Sequence, residues 1–306
     1  MRSKYLISVA GPTAIGKTAA AIALAGHYQT EILSADSRQF YREMSIGTAK
    51  PSAEELAAAP HHFINSHSIT DAFNVGDFEK QGLALLNDLF AKQDIVLMAG
   101  GSGLYLKAIT EGFDDLPDIA PAIRENLNKL FAEKGVAALR ERLKIADPAY
   151  YLQVDLNNPQ RLIRALEVSE GTGNPYSSYR KGSAQQRPFS NIKIGLDMPR
   201  EQLYERINQR VDAMINAGLI DEVKQLLPYR HLNALNTVGY SEIFDYLDGK
   251  TDLLKAIEMI KQNTRRFAKR QLTWFRKDKD IQWFLPTDVS AMINYIDETI
   301  AARSNA

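Results

Sequence analysis

The feature that most constrains this chain is a glycine-rich segment near its N-terminus. Residues 11–18 read Gly-Pro-Thr-Ala-Ile-Gly-Lys-Thr and match the pattern G-x-x-x-x-G-K-[ST]. The segment follows the apolar run 5–9 and precedes the alanine- and leucine-rich stretch 17–27, so it joins a predicted strand to a predicted helix. In that context backbone N–H groups converge on phosphate oxygens, and the helix N-terminus adds partial positive charge. The sequence therefore predicts a P-loop that binds a di- or triphosphate.

Every residue of this loop is assigned to diphosphate or nucleotide binding: Gly11, Pro12, Thr13, Ala14, Ile15, Gly16, Lys17 and Thr18. Lys17 supplies a compact cation, and the Thr18 hydroxyl is expected to ligate Mg²⁺. A P-loop recognises pyrophosphate and not a particular base. A kinase, an ATPase and a transferase that displaces pyrophosphate are therefore all compatible with it.

The rest of the chain predicts an α/β fold, a P-loop NTPase-like parallel sheet flanked by helices with a helical insertion domain. Continuous apolar strands at 31–33 and 94–98, separated by helices, are typical of a parallel sheet covered on both faces. We place the catalytic core and its C-terminal helices at 1–114 and 191–306, and the insertion at 115–190. Further predicted elements are a helix at 161–170 ended by Gly171, a strand at 192–196, helices at 201–216 and 253–276, and a strand at 281–285.

Composition excludes several classes of protein. The chain has no cysteine, so it forms no disulfide, thiolate zinc site or cysteine nucleophile. No run approaches the roughly 18 apolar residues of a membrane span, and the first apolar run is too short for a signal peptide. We therefore expect a cytoplasmic protein without membrane contact.

Charge is balanced overall but not locally. The chain has 37 Lys and Arg and 37 Asp and Glu residues, yet residues 261–279 contain eight basic side chains and only one acidic side chain. A neutral protein with one basic stripe can still bind a polyanion through that stripe.

Two further segments follow predicted strands. Asp36 comes directly after the second strand, where a carboxylate beside a P-loop can act as general base or metal ligand; capping of the next turn is an alternative role. Gly100-Gly-Ser-Gly103 follows the third strand and offers close backbone approach together with the Ser102 hydroxyl. No acidic residue ends that strand, which counts modestly against an NTP hydrolase, although Asp36 could serve in its place.

Several ordered segments together resemble the tRNA dimethylallyltransferase family. They are 11–18, Ser-Ala-Asp-Ser-Arg-Gln (34–39), Ile-Gly-Thr-Ala-Lys-Pro (46–51), Gly-Gly-Ser-Gly-Leu-Tyr (100–105), Asn-Pro-Gln-Arg-Leu-Ile-Arg-Ala-Leu-Glu (158–167), Arg206-Ile-x-x-Arg210, Gly-Leu-Ile-x-Glu-Val (218–223), Val-Gly-Tyr (238–240) and Lys-Arg-Gln-Leu-Thr-Trp-Phe-Arg (269–276). Their number and order across nearly the whole chain make the resemblance specific.

The resemblance implies transfer of a dimethylallyl group from dimethylallyl diphosphate to the N6 amine of the adenosine 3′ of the anticodon in tRNA. It assigns catalysis to Asp36, Lys17, Thr18 and Arg210, with Mg²⁺ on Thr18. Arg210 would stabilise the departing pyrophosphate, and Asp36 would take the proton of the adenine amine.

The resemblance also implies a set of contacts with the anticodon stem-loop. Asp36, Ser37, Arg38 and Gln39 would hold the target base, with Gln39 on the adenine edge. The remaining contacts would come from Ser102, Arg124, Gln160, Arg161, Leu162, Ile163, Arg164, Gly239, Tyr240, Lys269, Arg270, Trp274 and Arg276. For Trp274 and Phe275, packing on the core is as compatible with the sequence as stacking on RNA. We expect the chain to act as a monomer.

Two other enzymes are compatible with part of the sequence. A small-molecule or nucleotide kinase could use Arg161 and Arg164 as lid arginines over ATP. An adenylate isopentenyltransferase would share the P-loop chemistry but modify a free nucleotide. Neither requires the basic helix 261–276, and a non-enzymatic RNA-binding P-loop protein would not require Asp36 and Arg210.

Overall fold

A computed structural model describes residues 3–114, 116–180 and 185–304. Contacts within the chain define two compact units, Met1–Glu111 with Gln186–Ala306, and Gly112–Gln185. The expected insertion at 115–190 differs from the second unit by a few residues at each end, because residues 186–190 make their contacts within the first unit. Of that expected insertion, Asp115 and residues 181–184 lie outside the described residues.

The first unit contains a six-stranded sheet. Its strands are β1 (Tyr5–Ala10), β2 (Ile32–Ser34), β3 (His61–His62), β4 (Ile95–Gly100), β5 (Ser190–Leu196) and β6 (Gln282–Phe284). They lie in the order β3-β2-β4-β1-β5-β6, and every neighbouring pair is parallel. The predicted parallel sheet is confirmed, and only the two-residue strand β3 was not anticipated.

Thirteen α-helices occur in the described parts of the two units. They are α1 (Lys17–Tyr28), α2 (Ala53–Ala58), α3 (Val75–Phe90), α4 (Gly103–Glu111), α5 (Pro121–Ala146), α6 (Pro148–Tyr151), α7 (Pro159–Thr172), α8 (Tyr176–Tyr179), α9 (Arg200–Asn216), α10 (Leu219–Gln225), α11 (Tyr240–Leu247), α12 (Leu253–Phe275) and α13 (Val289–Ser304). Helices α5 to α8 belong to the second unit, and the others to the first. No described helix is long and apolar enough to span a bilayer.

Alternating residues of β1 explain why both faces of the sheet are covered. Ile7 and Val9 pack in a core with α1, α9 and α13, whereas Leu6 and Ala10 pack in a second core with α3 and α4. Successive side chains of a strand point to opposite faces, so an apolar strand requires helices on both sides. The P-loop and the loops after β2 and β4 all leave the same edge of this sheet.

In the described residues of the second unit, all regular secondary structure is helical. Its core is formed mainly by α5 and α7, with Leu139, Leu143, Leu162 and Ile163 fully buried. The predicted end of α7 at Gly171 is wrong. A Cβ on Gly171 would lie 2.6 Å from the Ile119 side chain, so the glycine lets Ile119 pack closely against the helix. The helix ends instead at Gly173, whose φ of 75° is the left-handed value typical of a helix C-terminus.

Candidate active site

The P-loop connects β1 to α1 as predicted. It requires left-handed backbone at Ala14 (φ 65°) and Gly16 (φ 105°), and α1 begins at Lys17. The Lys17 ammonium donates a hydrogen bond to the carbonyl of Pro12 at 2.8 Å, so the side chain folds back over its own loop. The Ile15 side chain is fully buried in the core, so any contact it makes with a ligand must use its backbone.

Basic groups outnumber acidic groups around this loop. Burial lowers the pKa of Lys17 to about 8, with Asp36 acting to raise it and Arg210 acting to lower it. Burial likewise lowers the pKa of Arg210 to about 10, against the favourable charge of Asp36 and with the unfavourable charge of Arg206. Three clustered cations facing one carboxylate leave a surplus of positive charge, which suits a polyanionic ligand.

Helix α9 supplies two of these cations. Arg206 and Arg210 are four residues apart and therefore project from the same helix face. Arg210 Nη2 donates to the Thr13 hydroxyl, and a Cβ placed on Gly16 would lie 3.5 Å from Arg206 Nη2. The structure thus brings Arg210 to the P-loop, as the family resemblance implied. It also brings Arg206, whose i, i+4 spacing from Arg210 was the available signal.

Asp36 begins the loop after β2 and caps the turn that follows it. Its Oδ1 accepts hydrogen bonds from the backbone N–H groups of Arg38 at 2.9 Å and Gln39 at 3.3 Å. The same carboxylate interacts electrostatically with Lys17 and Arg210, so the turn-capping role and a position beside the P-loop occur together.

Ser102 joins this loop to the loop after β4. Its Oγ accepts a hydrogen bond from the backbone N–H of Ser37 at 3.1 Å. Nearby, the Arg38 guanidinium donates to the carbonyls of Ser37 at 3.0 Å and Asn233 at 3.3 Å. Ser37, Arg38 and Ser102 therefore lie with Asp36, as predicted for the group around the target base.

Gln39 does not offer its amide donors to a ligand in this structure. Its Nε2 donates to the carbonyls of Thr48 at 3.1 Å and Ala49 at 3.0 Å. Both amide hydrogens are thereby used to order segment 46–51, and Oε1 accepts a long hydrogen bond from the Ser34 hydroxyl at 3.4 Å; the reading of an adenine edge by Gln39 stays a prediction.

Glu222, which the sequence did not single out, holds the start of that segment. Its carboxylate accepts hydrogen bonds from the backbone N–H groups of Ser45, Ile46 and Gly47, at 2.9, 2.7 and 3.0 Å. The Tyr240 hydroxyl donates to the same carboxylate at 2.6 Å. A carboxylate that accepts several N–H and O–H donors fixes the loop that carries them.

Tyr240 also explains the glycine at position 47. A Cβ on Gly47 would lie 2.5 Å from the Tyr240 ring. Tyr240 and Gly239 are both buried, so the predicted contacts of these two residues with tRNA are corrected: the Tyr240 ring packs against the 45–51 loop, and the Gly239 N–H donates to Glu242 at 2.8 Å.

The C-terminal half of α12 presents the predicted basic surface. Its groove of about 430 Å³ is lined by Arg266, Lys269, Arg270, Thr273, Trp274 and Lys277. Trp274 is 42% exposed and packs one ring edge against Gly103, whereas Phe275 is buried in the core. Arg276 is paired with Asp197 at 2.6 Å. The structure therefore contains the predicted basic surface. Of its two aromatic rings, only that of Trp274 is exposed enough to contact a ligand.

The second unit holds the other predicted tRNA contacts. Gln160 and Arg161 are exposed at the start of α7. Arg124 and Arg164 both donate to one carboxylate oxygen of the buried Glu167, at 3.0 and 2.9 Å. Leu162 and Ile163 have no exposed surface, so their predicted side-chain contacts with tRNA are corrected: both belong to the core of this unit.

The sheet order and the loop between β1 and α1 together define an α/β protein of the P-loop type. The family model described as IPP transferase matches residues 39–278, and the chain belongs to that family.

Among its relatives, the tRNA dimethylallyltransferase of Christiangramia forsetii is 56% identical over 97% of this chain and 99% of its own. Among solved structures, the tRNA isopentenylpyrophosphate transferase of Bacillus halodurans has a TM-score of 0.74 at 37% identity, covering 99% of both chains. A eukaryotic dimethylallyltransferase acting on tRNA has a TM-score of 0.77 at 26% identity, covering 99% of this chain and 79% of its own.

Proposed function

We propose that this chain transfers a dimethylallyl group from dimethylallyl diphosphate to the N6 amine of the adenosine 3′ of the anticodon in tRNA, releasing diphosphate. The observation that carries the proposal is the close placement of the P-loop cations and Asp36, which interacts with both Lys17 and Arg210. The relatives named as tRNA dimethylallyltransferases support it.

The P-loop side of the site suits the leaving group. As the bond between the allylic carbon and the diphosphate oxygen breaks, negative charge develops on the diphosphate. Lys17 and the two arginines of α9 would stabilise that charge, and groups already fixed around a site do so without reorganising during the reaction. Arg210 is held at the loop by its hydrogen bond to Thr13.

Asp36 suits the proton transfer. The adenine amine attacks the allylic carbon, and the nitrogen must lose one proton as the new C–N bond forms. Oδ1 of Asp36 accepts two backbone N–H groups, while Oδ2 accepts no hydrogen bond from the described residues. The carboxylate would take that proton and act as general base.

The RNA side of the proposal rests on the exposed basic surface. Lys269, Arg270 and Trp274 on α12 offer phosphate contacts and a stacking face, and Arg124 and Arg164 of the second unit offer a pair of fixed guanidinium groups. A base in a stacked anticodon loop must be extruded before its amine can reach Asp36. We place the reaction in the cytoplasm, with one chain carrying all of these groups.

Mg²⁺ would be held at Thr18, which lies in the first turn of α1 beside the loop. The described residues contain no cluster of three or more His, Asp or Glu side chains able to hold a metal ion by themselves. Mg²⁺ commonly binds through few protein ligands together with substrate phosphates and water, so a single hydroxyl fits this ion. When bound, it would neutralise charge on the diphosphate.

A label-transfer assay tests the proposal. The protein with Mg²⁺ and labelled dimethylallyl diphosphate is given unmodified tRNA with adenosine 3′ of the anticodon, the same tRNA with guanosine there, or AMP. We expect label only in the adenosine-containing tRNA. Label in AMP would instead indicate a free-nucleotide enzyme. Absence of transfer, together with release of γ-phosphate from ATP in a substrate screen, would indicate a kinase.

A further inference from the structure

Gln271 is a buried side chain of α12 that bridges two loops of the candidate active site. Its Oε1 accepts a hydrogen bond from the backbone N–H of Thr13 at 2.9 Å, and its Nε2 donates to the carbonyl of Gly101 at 2.8 Å. Only 8% of the residue is exposed, so it is not a surface contact for a large ligand. One amide thus uses both its acceptor and a donor inside the protein.

The bridge begins where the sheet ends. Strands β1 and β4 pair in parallel up to Ala10 and Gly100. Beyond that pair no ladder joins the two chain segments, and the Gln271 amide connects them instead. A Cβ on Gly101 would lie 2.4 Å from Gln271 Nε2, so the backbone of the second loop packs directly against the amide.

Each bridged loop carries a different half of the site. Thr13 belongs to the P-loop, and its hydroxyl also accepts a hydrogen bond from Arg210 Nη2. Gly101 precedes Ser102, whose Oγ accepts the backbone N–H of Ser37, the neighbour of Asp36. Covalent and hydrogen bonds through Gln271 therefore connect the P-loop, which would bind the leaving group, with the Asp36 loop, which would supply the general base.

We propose that Gln271 is a positioning residue that fixes the separation between the P-loop and the Asp36 loop. This inference rests on the proposed function. The two reacting groups are held by these two loops, so an error in their separation displaces the amine from the allylic carbon. A misplacement of about 1 Å can reduce the rate of such a step by roughly 10²-fold.

Gln271→Met removes both hydrogen bonds while keeping a side chain of similar length. Gln262→Met is the matched control, because Gln262 is exposed on the same helix. Single-turnover transfer is measured with both substrates saturating, alongside the Kd values for tRNA and dimethylallyl diphosphate. We expect Gln271→Met to lower the rate by about 10²-fold, with each Kd within about threefold of wild type, and the control to match wild type.

Gln271→Glu provides a second readout. A neutral carboxylic acid can accept a hydrogen bond from the Thr13 N–H and donate one to the Gly101 carbonyl. A carboxylate has no proton to donate to that carbonyl. Burial raises the pKa of the introduced carboxyl and the Lys17 ammonium, which lies against Gly101 beside the same amide, lowers it; in either case the protonated form gains population as the pH falls. We expect the rate of this variant, relative to wild type, to rise as pH falls, and the relative rate of Gln271→Met to stay constant.

The outcomes separate this inference from the proposed function. A wild-type protein that transfers no dimethylallyl group overturns both. An active wild type with an unchanged rate in Gln271→Met overturns the positioning role alone. A loss of rate in subsaturating tRNA that disappears at saturation also overturns it, since Gln271 would then act on RNA affinity. If Gln271→Met does not fold, a pH-independent relative rate in Gln271→Glu overturns it.

Discussion

The two carboxylate oxygens of Asp36 have different surroundings. Oδ1 accepts two backbone hydrogen bonds of the turn 36–39, so substitution by alanine would disturb that turn as well as the proton transfer. Asparagine keeps an oxygen for the two backbone N–H groups and removes the base. We expect Asp36→Asn to slow single-turnover transfer by about 10²-fold or more, with tRNA affinity and melting temperature close to wild type. A variant with full activity would remove Asp36 from the mechanism.

Lys17 predicts a pH dependence of substrate binding. Because its pKa is lowered to about 8, Lys17 is charged below that pH and loses its charge above it. Affinity for dimethylallyl diphosphate should therefore be steady up to about pH 8 and then fall by up to roughly tenfold per pH unit. Titration calorimetry across this range measures it.

Lys17→Arg is the informative comparison, because arginine keeps its charge throughout that range. The break near pH 8 should disappear in this variant, whatever its affinity at neutral pH. A break that persists in Lys17→Arg would assign the titration to another group.

At the scale of elements, the segment after β2 depends on a carboxylate from α10. Glu222 receives three backbone N–H groups and the Tyr240 hydroxyl, which would all lose their acceptor in Glu222→Ala. We expect this substitution to lower the free energy of unfolding by about 3 kcal/mol, and Tyr240→Phe to lower it by about 1 kcal/mol. Urea denaturation measures both.

Asp221→Ala is the control for this pair. Asp221 is the exposed neighbour of Glu222 on the same helix turn, and among the described residues its carboxylate pairs with the exposed Lys224 at 3.3 Å. Asp221→Ala should change the free energy of unfolding by less than about 0.5 kcal/mol. Equal effects of the two alanine substitutions would show that Glu222 does not hold the loop.

Elements whose pattern is local were predictable from the sequence, and contacts between distant residues were not. The P-loop, β1, β5 and α9 follow from apolar periodicity and a short motif. Gln271 and Thr13 are 258 residues apart, and Glu222 and Ser45 are 177 apart, so no local pattern pairs them. Gly171 and Gly173 are equivalent helix-end signals in the sequence, and the structure distinguishes them by the packing of Ile119 on Gly171 and the left-handed φ of Gly173.

The site was predicted unevenly for the same reason. Residue type and position along the strands indicated Lys17 and Asp36, and the family resemblance indicated Arg210; the fold does bring the three together. Burial decided against Leu162, Ile163 and Tyr240 as RNA contacts, because a motif marks a segment without stating which of its side chains face outward.

At the scale of the whole molecule, zero net charge makes RNA binding depend on the stripe of α12. Replacing both Lys269 and Arg270 by alanine should reduce the slope of log affinity for tRNA against log salt concentration by about 1 to 2. Filter binding at several salt concentrations measures it. Replacing Lys224 and Lys250, which lie outside the stripe, removes the same charge. An equal change in slope from that pair would mean that binding follows overall charge and not the α12 surface.

The central claim is that one site breaks the bond between the allylic carbon and the diphosphate oxygen and joins that carbon to the N6 amine of adenine. The most direct measurement is of both products in one reaction: diphosphate released, and prenylated adenosine in the nucleosides of the digested tRNA. Our account predicts one diphosphate for each modified adenosine with the wild-type protein, and neither product with Lys17→Ala. Diphosphate released without modified adenosine would contradict it.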